Sequence, residues 1–240
     1  MIDITVAFPV GYKPEYKLYL PECLESIRQQ TKKPYELIIV DDAAHLDRDD
    51  SMFDVGAEHG TMIYKFPWYF GLCAGTNTCM SLARTQWVYI MSCDDKFLVD
   101  DALEQTETEI LKHKQELAWY FPYMIYDKPI LKDTELGYLV KWPTMVGVMP
   151  REHFLRSGGL HPVSEFTAPD HVLKTLFETK LAPYKYYPIG NPEQPTYYAR
   201  FHKASHTETA GKWGPYLDMT HIAEKVVQFW EPPQWTEGFR

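Results

Sequence analysis

Two acidic pairs sit at the ends of apolar runs. Asp41-Asp42 follows Tyr35-Glu36-Leu37-Ile38-Ile39-Val40, and Asp94-Asp95 follows Trp87-Val88-Tyr89-Ile90-Met91 after the two residues Ser92-Cys93. Runs of this length and character read as buried strands of a mainly parallel sheet. Ligands of open α/β sheets bind outside the carboxyl ends of the strands, so acids delivered there can hold a divalent cation against a ligand's phosphates. Asp is also a good helix N-cap, and local sequence alone gives Asp94 and Asp95 that role as readily as a metal-binding one.

The elements that would position these acids follow from periodicity. Ile2, Ile4, Val6 and Phe8 alternate with Asp3, Thr5 and Ala7, which predicts a first strand ending at Pro9 and a loop over residues 10–16. Leu20, Cys23, Leu24 and Ile27 recur at helical spacing, with Pro21 in the first turn and a polar break at Thr31-Lys32-Lys33-Pro34. Residues 61–65 read as a short strand, 71–83 as a helix and 87–91 as a strand. Such alternation implies right-handed crossovers and a parallel sheet with helices on both faces. Beyond it the pattern predicts a helix over 100–117, a strand over 119–125, a loop or hairpin over 127–141 and a strand over 146–149. A short helix over 151–156, a Gly158-Gly159 turn, a helix over 170–180, a strand over 184–189 and a helix over 216–230 complete it.

Composition narrows the function classes. At 240 residues and 45% hydrophobic content, the chain can bury a sizeable core as one domain. A formal net charge of −9 argues against sequence-independent grip on nucleic acid or anionic membrane, because both need a dense positive surface. Cys23, Cys73, Cys79 and Cys93 lack CxxC pairing and lie in apolar or helical stretches, as expected of reduced, buried thiols in a cytoplasmic protein. The start MIDITVAFPVGY reads as a strand and not a signal peptide, and no apolar run reaches the length of a membrane span. His45, His59, His113, His161 and His221 show no paired metal-ligand spacing.

In order along the chain stand the opening strand with Pro9, the helix LPECLESIRQQT, the strand and turn ELIIVDDAA, the segment GLCAGTNTCMSLARTQWVYIMSCDD, then VGVMPREHFLRSGGL and the closing YYARFHKAS. Together these resemble a glycosyltransferase of the GT-A fold, most closely the inverting family 2, from Ile4 to about Ser205. The resemblance implies an α/β fold, a Rossmann-like mainly parallel sheet flanked by helices. It further implies a single domain with a nucleotide-sugar-binding half over 1–100 and an acceptor-binding half over 101–240.

The same resemblance assigns roles. Asp41 and Asp42 match the family's acidic pair at the base or ribose, Pro9 and Val10 line the same pocket, and Asn77 matches a position near the nucleotide. Asp94, with Asp95, would bind Mn2+ or Mg2+, although Ser92 stands where a first acid is common. Asp170 falls where the family places the base that takes the acceptor's proton, with Pro169 replacing a neighbouring acid and Glu165 in reserve. Arg200, His202 and Ser205 match the closing motif at the diphosphate or metal, with His202 a further candidate metal ligand. Trp142, Trp213 and the Tyr197-Tyr198 pair are candidates for an acceptor platform, core packing being the commoner role of such residues.

The expectation is therefore a metal-dependent inverting transferase moving a sugar from a nucleotide donor, a UDP-sugar, to a hydroxyl of a glycan or of a modified nucleic-acid base. A protein that kept the fold and lost turnover is the alternative, motivated by Ser92 and Pro169. A nucleotidyltransferase is less supported, because residues 10–16 do not form the Gly-rich basic loop such enzymes carry.

Overall fold

The structure is a computed structural model that describes residues 1–126, 139–140, 145–161, 169–181 and 183–200. Trp142, Glu165, His202, Ser205, Trp213 and the helix expected over 216–230 lie outside the described residues. The first half runs β1 (Ile4–Gly11), α1 (Pro14–Arg28), β2 (Glu36–Asp42), a 3-10 turn (Ser51–Phe53), β3 (Thr61–Lys65), α2 (Leu72–Leu82) and β4 (Trp87–Ile90). The second continues with β5 (Lys96–Phe97), α3 (Ala102–Lys112), β6 (Trp119–Pro122), β7 (Met124–Tyr126), β8 (Leu139–Val140), β9 (Gly147–Pro150), α4 (Arg151–Ser157), α5 (Pro169–Lys180), β10 (Tyr186–Ile189) and β11 (Tyr197–Ala199).

Seven strands form the main sheet in the order β10-β6-β9-β4-β1-β2-β3. β1, β2, β3 and β4 pair in parallel, and β9 enters antiparallel between β4 and β6. Both faces are covered, which is why the strands read as unbroken apolar runs. Val6, Phe8, Leu37 and Ile39 pack with Leu20, Leu24 and Ile27 of α1 on one face. Ala7, Ile38, Val40 and Ile90 pack with Cys79 and Met80 of α2 on the other. Each such side chain withdrawn from water contributes about 1.5–3 kcal/mol, offset largely by the entropy of ordering the chain.

A smaller sheet, β5-β11-β7-β8, lies beside the main one. The apolar stretch expected as one strand over 119–125 is two strands, because the chain leaves the main sheet after Pro122 and enters the small one at Met124. Apolar character does not reveal that transfer.

Two boundaries differ from the sequence expectation for a reason that bears on the site. β1 continues through Pro9 to Gly11, paired with β2 up to Gly11↔Asp42. Pro9 lies past the last β1–β4 pair, Ala7↔Ile90, so its missing N–H removes no ladder bond there. Helix α1 begins at Pro14, and Pro21 lies inside it. Its first turns carry Tyr16, which lines the site while packing against the edge of the core, and Tyr19, which lies under Arg200; the fully buried residues start at Leu20.

Helix α2 lies very close to the end of β1. A Cβ on Gly75 would stand 2.5 Å from the Cβ of Pro9. Glycine there lets the helix bring its N-terminal end against the tips of β1 and β2.

Candidate active site

Neighbouring residues of a strand point to opposite faces, and this divides the first acidic pair. Asp42 points toward α2, where its carboxylate accepts from the backbone N–H of Phe70 at 2.6 Å and of Gly71 at 2.8 Å. Burial pushes its pKa up, the two N–H groups pull it partly back, and Asp41 adds a further push upward. Asp41 points to the other face and accepts from the N–H groups of His45 at 3.0 Å and Leu46 at 2.9 Å. Asp41 thus shapes the turn after β2, in which Ala43 and His45 adopt positive φ.

The second pair divides too. Asp94 accepts a 2.5 Å hydrogen bond from the Ser92 hydroxyl. Asp95 turns away into the protein, accepting from the Tyr197 hydroxyl at 3.1 Å and from the Arg200 N–H at 2.7 Å. Burial and the neighbouring Asp94 hold the Asp95 carboxyl well above the usual carboxylate range.

Asp42 and Asp94 line one cavity of about 110 Å³, floored by Pro9, Gly11 and Leu72. Ser92 and Cys93 complete its wall beside Asp94. The rings of Tyr12, Tyr16 and Tyr69 stand around it, with Lys13 as the basic lining residue among the described residues. Tyr12 and Tyr69 meet edge to face with centroids 4.9 Å apart, both about half exposed. Gly11 leaves room for these rings, since a Cβ there would lie 3.3 Å from Tyr16. Burial and the Asp94 charge push the Tyr16 hydroxyl's pKa up, so this group stays a neutral donor.

Several sequence-predicted residues take other places. Val10 is buried in the core on the α1 face, and Gly11 and Tyr12 occupy the pocket position instead. Asn77 holds the backbone of Leu160, donating to its carbonyl at 2.9 Å and accepting from its N–H at 2.8 Å. It therefore ties α2 to the turn after α4, where a Cβ on Gly159 would come within 2.6 Å of its Oδ1. Arg200 donates from Nε to the Asp94 carbonyl at 2.9 Å, pairs with Glu22, and lies over the Tyr19 ring at 4.1 Å. Its guanidinium thus braces the acidic turn. Tyr197 is fully buried and forms no platform. Asp170 stands half-buried in the first turn of α5, outside the cavity lining.

Sequence reasoning missed Gly11, Tyr12, Lys13, Tyr16 and Tyr69. Four of the five lie in the stretch read as a plain loop after strand one; the usable signal was the density of aromatic residues in VGYKPEY and in WYF before Gly71.

The family model for Glycosyl transferase family 2 matches residues 13–162, more than half of the chain. The chain belongs to this family. No curated protein sequence matches it. Among solved structures this family 2 chain is similar to S. aureus TarS, with TM-score 0.65 at 12% identity over 98% of this chain and 41% of that one. TarS 1-349 in complex with UDP-GlcNAc gives TM-score 0.63 at 12% identity, covering 87% of this chain and 61% of that one. TarS 1-349 in complex with UDP gives 0.64 at 13%, covering 94% and 70%. At these identities the likeness shows the fold, which is of the GT-A type. The chain spans less than two thirds of the length of the first two. Among the described residues no helix is long and apolar enough to cross a membrane.

Proposed function

We propose that this family 2 chain transfers a sugar from a UDP-sugar to an acceptor hydroxyl with inversion. The observation that carries the reading is the meeting of Asp42 and Asp94 in one cavity with three tyrosines and a lysine. Asp42 suits the base or ribose, and the Tyr12 and Tyr69 rings offer a flat base a stacking surface. Lys13 supplies positive charge for the diphosphate.

Mn2+ or Mg2+ fits this site in a limited way. Among the described residues no three His, Cys, Asp or Glu side chains cluster to hold an ion. A hard cation held by one carboxylate and the ligand's own phosphates needs no such cage, and Asp94, braced by Ser92, is the residue that would hold it. His202 is a further candidate ligand; Asp95 does not fit, being turned inward. When bound, the cation would neutralise charge on the departing diphosphate.

Asp170 is our candidate base, with Glu165 in reserve. The acceptor oxygen attacks the anomeric carbon as the bond from that carbon to the phosphate oxygen breaks. The proton passes to the carboxylate and the electron pair leaves on the diphosphate, so no covalent enzyme intermediate is needed. The acceptor is a hydroxyl of a glycan or of a modified nucleic-acid base. Residues 1–100 would form the donor half and 101–240 the acceptor half. The four buried cysteines, none of them in a disulfide, agree with a cytoplasmic setting.

A donor-binding protein without turnover is the competing reading, favoured by Asp95 facing away from the cavity. Purified protein mixed with UDP- and GDP-sugars, with and without Mn2+, separates the two. UDP-sugar hydrolysis that chelator abolishes supports the transferase. Tight binding with no turnover under any acceptor supports the binder, and no binding of any nucleotide sugar overturns both.

A further inference from the structure

The turn that presents Asp94 owes its shape to a strand that arrives about a hundred residues later. Residues Ser92–Asp95 lie between β4 and β5, outside both ladders. Their polar groups are held by β11 and the residue after it. The Tyr197 hydroxyl accepts from the Ser92 N–H at 3.1 Å and donates to Asp95 Oδ2 at 3.1 Å. Arg200 donates its backbone N–H to Asp95 Oδ1 at 2.7 Å and its Nε–H to the Asp94 carbonyl at 2.9 Å. Within the turn, Asp95 N–H donates to the Ser92 carbonyl at 3.2 Å. Asp94 is therefore pinned through the residue after it, through Ser92 and through its own carbonyl, while its carboxylate is left toward the cavity.

The ring of Tyr197 is itself packed on all sides. It is fully buried and meets Phe97 edge to face at 6.1 Å, and β11 pairs with β5 at Tyr197↔Phe97. If the hydroxyl alone is removed, the ring has no reason to move. The Ser92 N–H and Asp95 Oδ2 then lose a buried partner, and the turn is the part free to seek replacements. Displacements near 1 Å at a reacting centre cost about a hundredfold in rate.

We propose that Asp95 and Tyr197 are positioning residues of the transfer reaction. They form one link that aims the Asp94 carboxylate at the donor's diphosphate and its cation, and they touch neither themselves. This rests on the donor-site reading above.

The test is Tyr197→Phe, Asp95→Asn and the double variant in the full chain, titrated with UDP and Mn2+ by calorimetry and assayed for UDP-sugar hydrolysis. UDP affinity in chelator should stay within about twofold, because Asp42 and the cavity tyrosines Tyr12, Tyr16 and Tyr69 are untouched. Mn2+ affinity of the UDP complex should fall about tenfold and kcat about tenfold, and the double variant should be no worse than the poorer single one. Arg200→Lys keeps the backbone N–H to Asp95 and removes the Nε–H to Asp94. It should lower Mn2+ affinity about threefold, and it serves if Tyr197→Phe fails to fold. Lower melting temperatures with unchanged Mn2+ affinity and kcat would overturn the inference and leave a purely structural link. Wild-type protein that binds no UDP would instead bring down the donor-site reading, and this inference with it.

Discussion

Asp42 and Asp94 reach one cavity from the ends of β2 and β4, two strands that are not neighbours: β1 lies between them, and its tip, Pro9 and Gly11, forms the floor. The strands that lead to them stand roughly two inter-strand spacings apart, about 9–10 Å, and Asp94 is carried past the end of β4 by the turn before β5. That span suits a ligand with a polar ring at one end and phosphates at the other. Asp42 faces the side of the sheet covered by α2, which approaches the cavity floor closely where Gly75 meets Pro9.

Asp94→Ala removes the carboxylate at the phosphate end and leaves Ser92 without its acceptor there. We expect UDP-sugar hydrolysis to fall about 10²–10³-fold, the scale of losing one electrostatic contact to developing charge. The Asp42 end is untouched, so UDP binding in chelator should change little. Steady-state kinetics and calorimetry on one preparation check both.

Gly75→Ala places a methyl group 2.5 Å from the Cβ of Pro9, and neither strand nor helix can yield cheaply. Overpacking of this kind costs about 1–3 kcal/mol. The strain falls at the cavity floor, so donor affinity should drop together with the melting temperature. An Ala variant with wild-type stability and affinity would show that α2 is free to shift.

Glu107 offers a stability prediction far from the cavity. Its carboxylate accepts from the Ile2 N–H at 2.6 Å and pairs with Lys32 at 3.1 Å, tying α3 to the start of β1. Burial would raise its pKa, but the Ile2 N–H, Lys32 and the N-terminal ammonium outweigh it and hold the group below the usual Glu value. A folded-state pKa below the unfolded one means stability present above the ordinary carboxylate range and lost as pH falls through the folded value. Glu107→Gln should cost about 1–2 kcal/mol at neutral pH and flatten the acid limb of the melting curve, read by calorimetry from pH 7 to about 3.

What the sequence disclosed, and what it hid, follows from how local each signal is. Leu37–Val40 and Trp87–Ile90 announce buried strands because both sheet faces are covered, and the acids after them mark the ligand edge of the sheet. Asp94 and Asp95 are adjacent, yet one faces the cavity and the other the interior. That choice is made by Tyr197 and Arg200, over a hundred positions away, and no local pattern contains it. Asn77 resembled a nucleotide contact because its type fits one, but its partner is the Leu160 backbone, reached only once α2 and α4 pack. Tyr12, Tyr16 and Tyr69 escaped for other reasons. Tyr12 and Tyr69 obey no helix or strand period, and Tyr16, in step with Leu20 and Leu24, sits in the first turns of α1, which local sequence reads as a loop.

Asp42 brings stability and binding into opposition. Burial lifts its folded-state pKa, so the folded chain holds that proton more tightly than the unfolded chain does. The sign is then opposite to that of Glu107: this carboxylate makes stability fall as pH rises from the ordinary carboxylate range through the folded value, and its cost is fully present above that value. Asp42→Asn keeps an oxygen for the Phe70 or Gly71 N–H and removes the buried charge. The variant should melt higher than wild type at pH 7, with the gap closing by about pH 4. Its affinity for UDP should fall about tenfold, near 1.4 kcal/mol, through loss of a charged acceptor. Melting curves against pH, set beside UDP titrations of the same samples, decide it: unchanged affinity would remove Asp42 from the ligand site, and an unchanged pH gap would show that the acid carries no folding cost.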